Sequence, residues 1–87
     1  MYIDKSAILK NICYTELVYA RINTKLKTQL SKSEIENRIY TFITETAVSN
    51  FERIGKNIYV TNRENQIRIT INANNYRIIT VDKIWEI

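Results

Sequence analysis

The sequence predicts an α+β fold in which two or three N-terminal helices pack on one face of a three- to four-stranded antiparallel meander. Three observations carry this. Apolar residues recur at helical spacing through the first half of the chain. From Phe51 onward the period changes to two and β-branched residues dominate. Within that second half, Gln66 to Val81, QIRITINANNYRIITV, forms two alternating runs around an Asn-rich turn, the signature of a β-hairpin.

The first helix is expected over Ser6 to about Ile12, where Ile8, Leu9 and Ile12 share a face and Asp4 or Ser6 supplies the cap. Thr15 and Glu16 open a second helix, with Leu17, Val18, Ile22 and Leu26 as its apolar stripe and Arg21 and Lys25 on another face. Ser31 begins a third. Its S-K-S-E run is a capping box, with Glu34 as the reciprocal carboxylate, directly before Ile35, Ile39, Phe42 and Ile43. This helix should fade between Thr44 and Ser49, where Thr, Ser and Asn accumulate.

Strand register follows from turn placement. Gly55-Lys56 as a two-residue turn with glycine first pairs Phe51 with Val60 and Glu52 with Tyr59. A loop from Asn62 to Asn65 sets Val60 opposite Ile67 and Tyr59 opposite Arg68. A tip at Ala73-Asn74 sets Ile71 opposite Tyr76, Thr70 opposite Arg77 and Arg68 opposite Ile79. The core face then carries Phe51, Ile58, Val60, Ile67, Ile69, Ile71, Tyr76 and Ile78. The outer face carries a middle row of Glu52, Tyr59, Arg68 and Ile79, flanked by Thr70, Arg77 and Val81.

The chain has 87 residues with 45% apolar and 25% charged residues, which fits one folded domain over residues 1–87 that buries about 60 to 65% of its unfolded surface. With one Gly and no Pro, the turns must take positive φ from Asn62, Asn65, Asn72, Asn74 or Asn75. The N-terminus has no signal-peptide pattern and no segment nears the ~20 apolar residues that span a bilayer, so a cytoplasmic location without membrane contact is expected. Cys13, the single cysteine, is expected to be a buried small apolar residue.

Function classes narrow by exclusion. With no His, no glycine-rich phosphate loop and no Ser or Cys beside a credible base, hydrolases, kinases and zinc enzymes are disfavoured, and neither metal nor cofactor is expected. The net charge of +4 permits an acidic or nucleic-acid partner. Arg21, Lys25, Lys27 and Lys32 form the one basic cluster, a helix end or a phosphate-contacting patch.

The outer face has residue types suited to RNA or a protein surface: Tyr59 stacks a base, Arg68 and Arg77 pair with phosphate bidentately, and Thr70 and Ile79 complete the contact. The leading expectation is a binding module whose partner is a protein or ribonucleoprotein. A metal-independent ribonuclease is the second, with Glu52 accepting the 2′-hydroxyl proton and Arg68 and Arg77 stabilising phosphate charge. A third is a homodimer closed through Ile79, Val81 and Trp85, with the tail Ile84 to Ile87 extending or covering the last strand.

The runs NICYTELVYARIN, LSKSEIENRIY and GKNIYVTNRENQIRITINANNYRIITVD resemble a family of short bacterial proteins grouped as domain of unknown function 3781, which implies no activity. The helix-then-sheet order and the closing strand YRIITV, Tyr76 to Val81, are also similar to the RelE/ParE toxin superfamily. That likeness implies ribonuclease chemistry borne by Arg68, Arg77 and Tyr59. The form of a small domain without chemistry is also that of inhibitors carried by mobile elements, anti-CRISPR proteins among them.

Overall fold

Ser31 and Glu34 start the longest of the three helices. In the computed structural model, which describes residues 3–84, the Ser31 hydroxyl accepts from the Glu34 N–H at 3.2 Å and the Glu34 carboxylate accepts from the Ser31 N–H at 2.9 Å. This capping box opens α3, Lys32–Glu45, and buries Ile35, Ile39 and Ile43 on one stripe. Ahead of it come α1, Lys5–Asn11, capped by the Asp4 side chain, and α2, Glu16–Leu26. Lys27 ends α2 in the left-handed region at φ 57°. The Asn23 carboxamide then binds both backbone groups of Leu30, which shapes the link to α3.

After a 3₁₀ turn at Val48–Asn50, four strands follow: β1 Phe51–Ile54, β2 Asn57–Asn62, β3 Ile67–Asn72 and β4 Ile78–Lys83. They form one antiparallel meander in chain order, so the expected α+β architecture holds with three helices and four strands. A single core joins Ile8, Val18 and Ile22, the α3 isoleucines and the inward sheet residues, among them Val60, Ile69, Ile71 and Val81, each less than 1% exposed. Leu17 departs from the expected α2 stripe. It is 79% exposed, because Val18 and Ile22 already occupy the arc of α2 that meets the core.

The first hairpin has the expected register, with Phe51 opposite Val60 and Glu52 opposite Tyr59 around Gly55 at φ 60°. The second is displaced by two residues. Its loop runs over residues 63–66, so Tyr59 faces Thr70 and Thr61 faces Arg68, and the expected pairing of Tyr59 with Arg68 does not form. A shift of two preserves the faces and changes only the neighbours.

The third hairpin carries a larger correction. Ile71 pairs with Ile78, whereas Thr70 pairs with Thr80, so Ile79 is the extra residue of a β-bulge. The pairings expected for Tyr76, Arg77 and Ile79 are absent, and parity inverts beyond the bulge. Val81 therefore points into the core with no exposed surface, not onto the outer face.

The asparagines also act differently from expectation. The positive φ angles fall on Lys27, Gln66, Tyr76 and Gly55, and on no asparagine. Instead, Asn side chains organise the turns by accepting backbone hydrogens: Asn62 from Asn65, Asn72 from Asn74 and Asn75, and Asn75 from Arg77. These are Asx-type contacts, for which the short carboxamide is suited. Cys13 likewise is exposed, not buried. Its backbone bridges to the start of β4, donating to the Tyr76 carbonyl and accepting from the Ile78 N–H, which turns its side chain to the surface.

The buried Asn62 amide donates to Thr46 Oγ1 at 3.1 Å and to the Phe42 carbonyl at 3.4 Å. Asn62→Ala is expected to lower unfolding free energy by about 2–3 kcal/mol in urea titration, because it strands buried partners and loosens the 63–66 loop together. The capping contacts hold the Glu34 carboxyl below its ordinary range. Its contribution is therefore present above the unfolded-state value and lost as pH falls through the native one, so Glu34→Gln should flatten the acid limb of the stability profile.

Candidate binding surfaces

The eight side chains singled out by the sequence divide between two places. Glu52, Tyr59, Thr70 and Arg68 are on the outer sheet face, opposite the helices. The middle row across that face reads Glu52, Tyr59, Thr70 and Thr80. Glu52 is exposed and Tyr59 is half-buried, its hydroxyl accepting from Asn57 at 3.4 Å. Thr70 is buried among its neighbours, and the Thr80 hydroxyl is buried without a partner among the described residues. Arg68 stands one row away, between Thr61 and Asp82, and its Nε donates to Thr61 Oγ1 at 3.3 Å. Glu52 and Arg68 share the wall of an open polar depression of about 320 Å³ with Asn50 and Thr61.

Arg77 is not there. It precedes β4, at the opposite edge of the meander from β1, in the segment that bridges to Cys13. The Glu52, Arg68 and Arg77 set required for phosphate cleavage is thus not brought together, since only the first two line a common depression. Arg77 instead meets Arg21 and Ile79 at a groove of about 220 Å³ between α2 and β4.

The basic helix end is largely engaged. Arg21 Nη1 donates to the Ile79 carbonyl at 3.3 Å, Lys25 pairs with Asp82 at 2.9 Å, and Lys32 pairs with Glu16 at 2.8 Å. These contacts fasten α2 to β4 and to α3. They are exposed, so each is worth about 0–1 kcal/mol.

A third cluster was not legible as a unit in the sequence. Tyr14 and Tyr19 stack with ring centroids 5.4 Å apart, and the Tyr19 hydroxyl donates to Glu36 at 2.7 Å. Lys32 Nζ lies 5.3 Å from the Tyr19 ring centroid. Burial, then the hydrogen bond to Glu36, pushes the Tyr19 hydroxyl up to about 12. Burial first and the Glu36 charge second raise the Tyr14 hydroxyl as well, and it is buried without a partner among the described residues. The cluster ties the start of α2 to α3.

Among the described residues no three His, Cys, Asp or Glu side chains converge to hold a metal, and no helix is long and apolar enough to cross a membrane. Of the dimer set, Val81 is enclosed in the core, Ile79 is half-buried, and Trp85 and the tail beyond Ile84 lie outside the described residues.

A protein-family model matches residues 6–82, from the second residue of α1 to the last but one of β4. The chain belongs to the family described as protein of unknown function DUF3781. The match includes part or all of every helix and strand, so both surfaces lie within the DUF3781 domain. No curated protein and no solved structure matches the chain, and the likeness to RelE/ParE toxins gains no support.

The tyrosine cluster separates two kinds of hydroxyl. Tyr14→Phe removes an unsatisfied buried group and should raise stability by about 1 kcal/mol, whereas Tyr19→Phe loses the Glu36 contact and should lower it by a similar amount. Denaturant midpoints check the opposite signs. Both native tyrosines hold their protons more tightly than the ordinary 10.0, so their stabilisation is complete below that pH. It is lost as pH rises toward about 12, and the double Phe variant should show a shallower alkaline decline.

Proposed function

We propose that this DUF3781 protein is a non-enzymatic cytoplasmic binding protein that docks on a protein surface through the outer face of its sheet. The observation that carries this is one of layering. The core that unites the three helices with the sheet takes up the inward face, while Tyr59, Arg68 and Glu52 stand on the other face, on rigid strands. An amphipathic ring, a guanidinium with its Nη groups unspent on Thr61, and a carboxylate form an anchor-and-rim arrangement.

A protein partner is favoured over free RNA by the middle row itself, where neutral Thr70 and Thr80 replace the expected Arg68 and Ile79. With Arg77 on another surface, phosphate recognition there rests on Arg68 and the neighbouring Arg63. A lone cysteine, with no disulfide needed for the fold, accords with a reducing compartment. An inhibitor of a larger machine is one form such a module takes.

The double variant Tyr59→Ala/Arg68→Ala should lose partner capture from lysate, before and after ribonuclease treatment, with an unchanged circular dichroism spectrum. Undiminished capture overturns the assignment to this face. Wild-type protein should also leave a quenched fluorogenic RNA intact. Cleavage that disappears in Glu52→Gln would instead establish the ribonuclease alternative.

A further inference from the structure

The groove between α2 and β4 has no part in the outer sheet face, and its composition differs. Its floor is Val18 and Ile78, and its rim is Leu17, Ile79, Arg21 and Arg77, with no carboxylate among the lining residues. Leu17 is the most exposed large apolar side chain among the described residues, at 79%. An exposed leucine is unremarkable alone, but here it borders a depression edged by two guanidinium groups.

Neither arginine is used up by the fold. Arg21 spends one Nη on the Ile79 carbonyl, which orients it along the groove and leaves its other donors free. The Arg77 backbone is held on both sides, its N–H by the Asn75 side chain and its carbonyl by the Asn72 N–H. Its guanidinium has no partner among the described residues. The two walls are also locked together, because Cys13 exchanges hydrogen bonds with the chain on either side of Arg77. The site is thus preorganised, which reduces the ordering cost of binding.

Size and charge select the ligand. A volume of about 220 Å³ lies below the ~300 Å³ at which small-molecule pockets begin, and is suited to one large side chain. Two arginines with no acid among the lining residues match carboxylates bidentately. We propose that this groove is a second docking site, independent of the outer sheet face, for an acidic peptide segment of a partner protein: one large apolar side chain seats against Leu17, Val18 and Ile79, and flanking carboxylates pair with Arg21 and Arg77.

The test is selection of a displayed random-peptide library on the folded full-length protein. Enriched peptides should combine an aliphatic or aromatic residue with Asp or Glu on its flanks. Synthesised singly, they should shift the backbone amide resonances of Leu17, Arg21 and Ile79, and weaken with added salt. Arg77→Glu and Leu17→Ser alter exposed side chains without internal partners, so both should fold; each should weaken binding about tenfold or more. Tyr59→Ala/Arg68→Ala should bind these peptides normally, which keeps the result separate from the outer-face reading. No enrichment, enriched peptides without acidic residues, or binding that survives Arg77→Glu overturns the proposal. So does a single-stranded RNA oligonucleotide that shifts the same resonances and displaces the peptide at equal concentration, because phosphate and not carboxylate would then be the ligand.

Discussion

Closure of the α3 C-terminus against the sheet is the interaction on which the other elements depend. The last carbonyls of a helix need donors, and α3 has no basic residue in its last turn to help. The donors come from elsewhere in the chain. Lys5 Nζ, at the start of α1, reaches the carbonyls of Thr44 and Thr46 at 2.6 and 2.7 Å, and lies 5.8 Å from the Phe51 ring centroid. Asn62, at the end of β2, reaches Phe42 and Thr46 from the other side. One helix end thereby draws in the first helix and two strands, and Asn62 Oδ1 binds Asn65 to shape the following loop.

That constraint reaches the second hairpin. With Asn62 committed inward beside Ile58 and Val60, it belongs to β2 and not to the turn, and the loop begins one residue later. The strands slide by two as a result. Tyr59 gains Thr70 as its neighbour, and Arg68 moves beside Asp82. A bulge at Ile79 then inverts the parity of β4 beyond it. It turns Val81 into the core, while Arg77, ahead of the bulge and bridged to Cys13, borders the groove with α2. Two arginines that alternation places on one face thus end on different surfaces, and a single phosphate-binding reading becomes two independent binding surfaces.

The last strand shows why α2 is where it is. As an outer strand, β4 carries backbone groups that no fifth strand pairs among the described residues. The chain near Cys13 bonds to one end of this edge, Arg21 covers the Ile79 carbonyl, and Lys25 neutralises Asp82. Covering an edge with a helix and charged side chains limits association through it. These cations are basic residues by composition and edge-covering residues by position, which charge counting alone does not distinguish.

Much was legible from local chemistry. The capping box of Ser31 and Glu34, the apolar stripe of α3, the Gly55 turn and the inward isoleucines each depend on residues close in sequence, whose spacing sets which way they point. The sequence by itself therefore determined the helix-then-meander order, the starts of α2 and α3 and the face of every strand before the bulge. Tertiary structure decided the loop after Asn62, the bulge at Ile79, the exposure of Leu17 and Cys13, and the company kept by Arg68 and Arg77. Each of these turns on a contact between residues far apart in the chain, Asn62 with Thr46 or Cys13 with Tyr76 and Ile78, where satisfying buried polar groups and filling the core outweigh what periodicity alone prescribes.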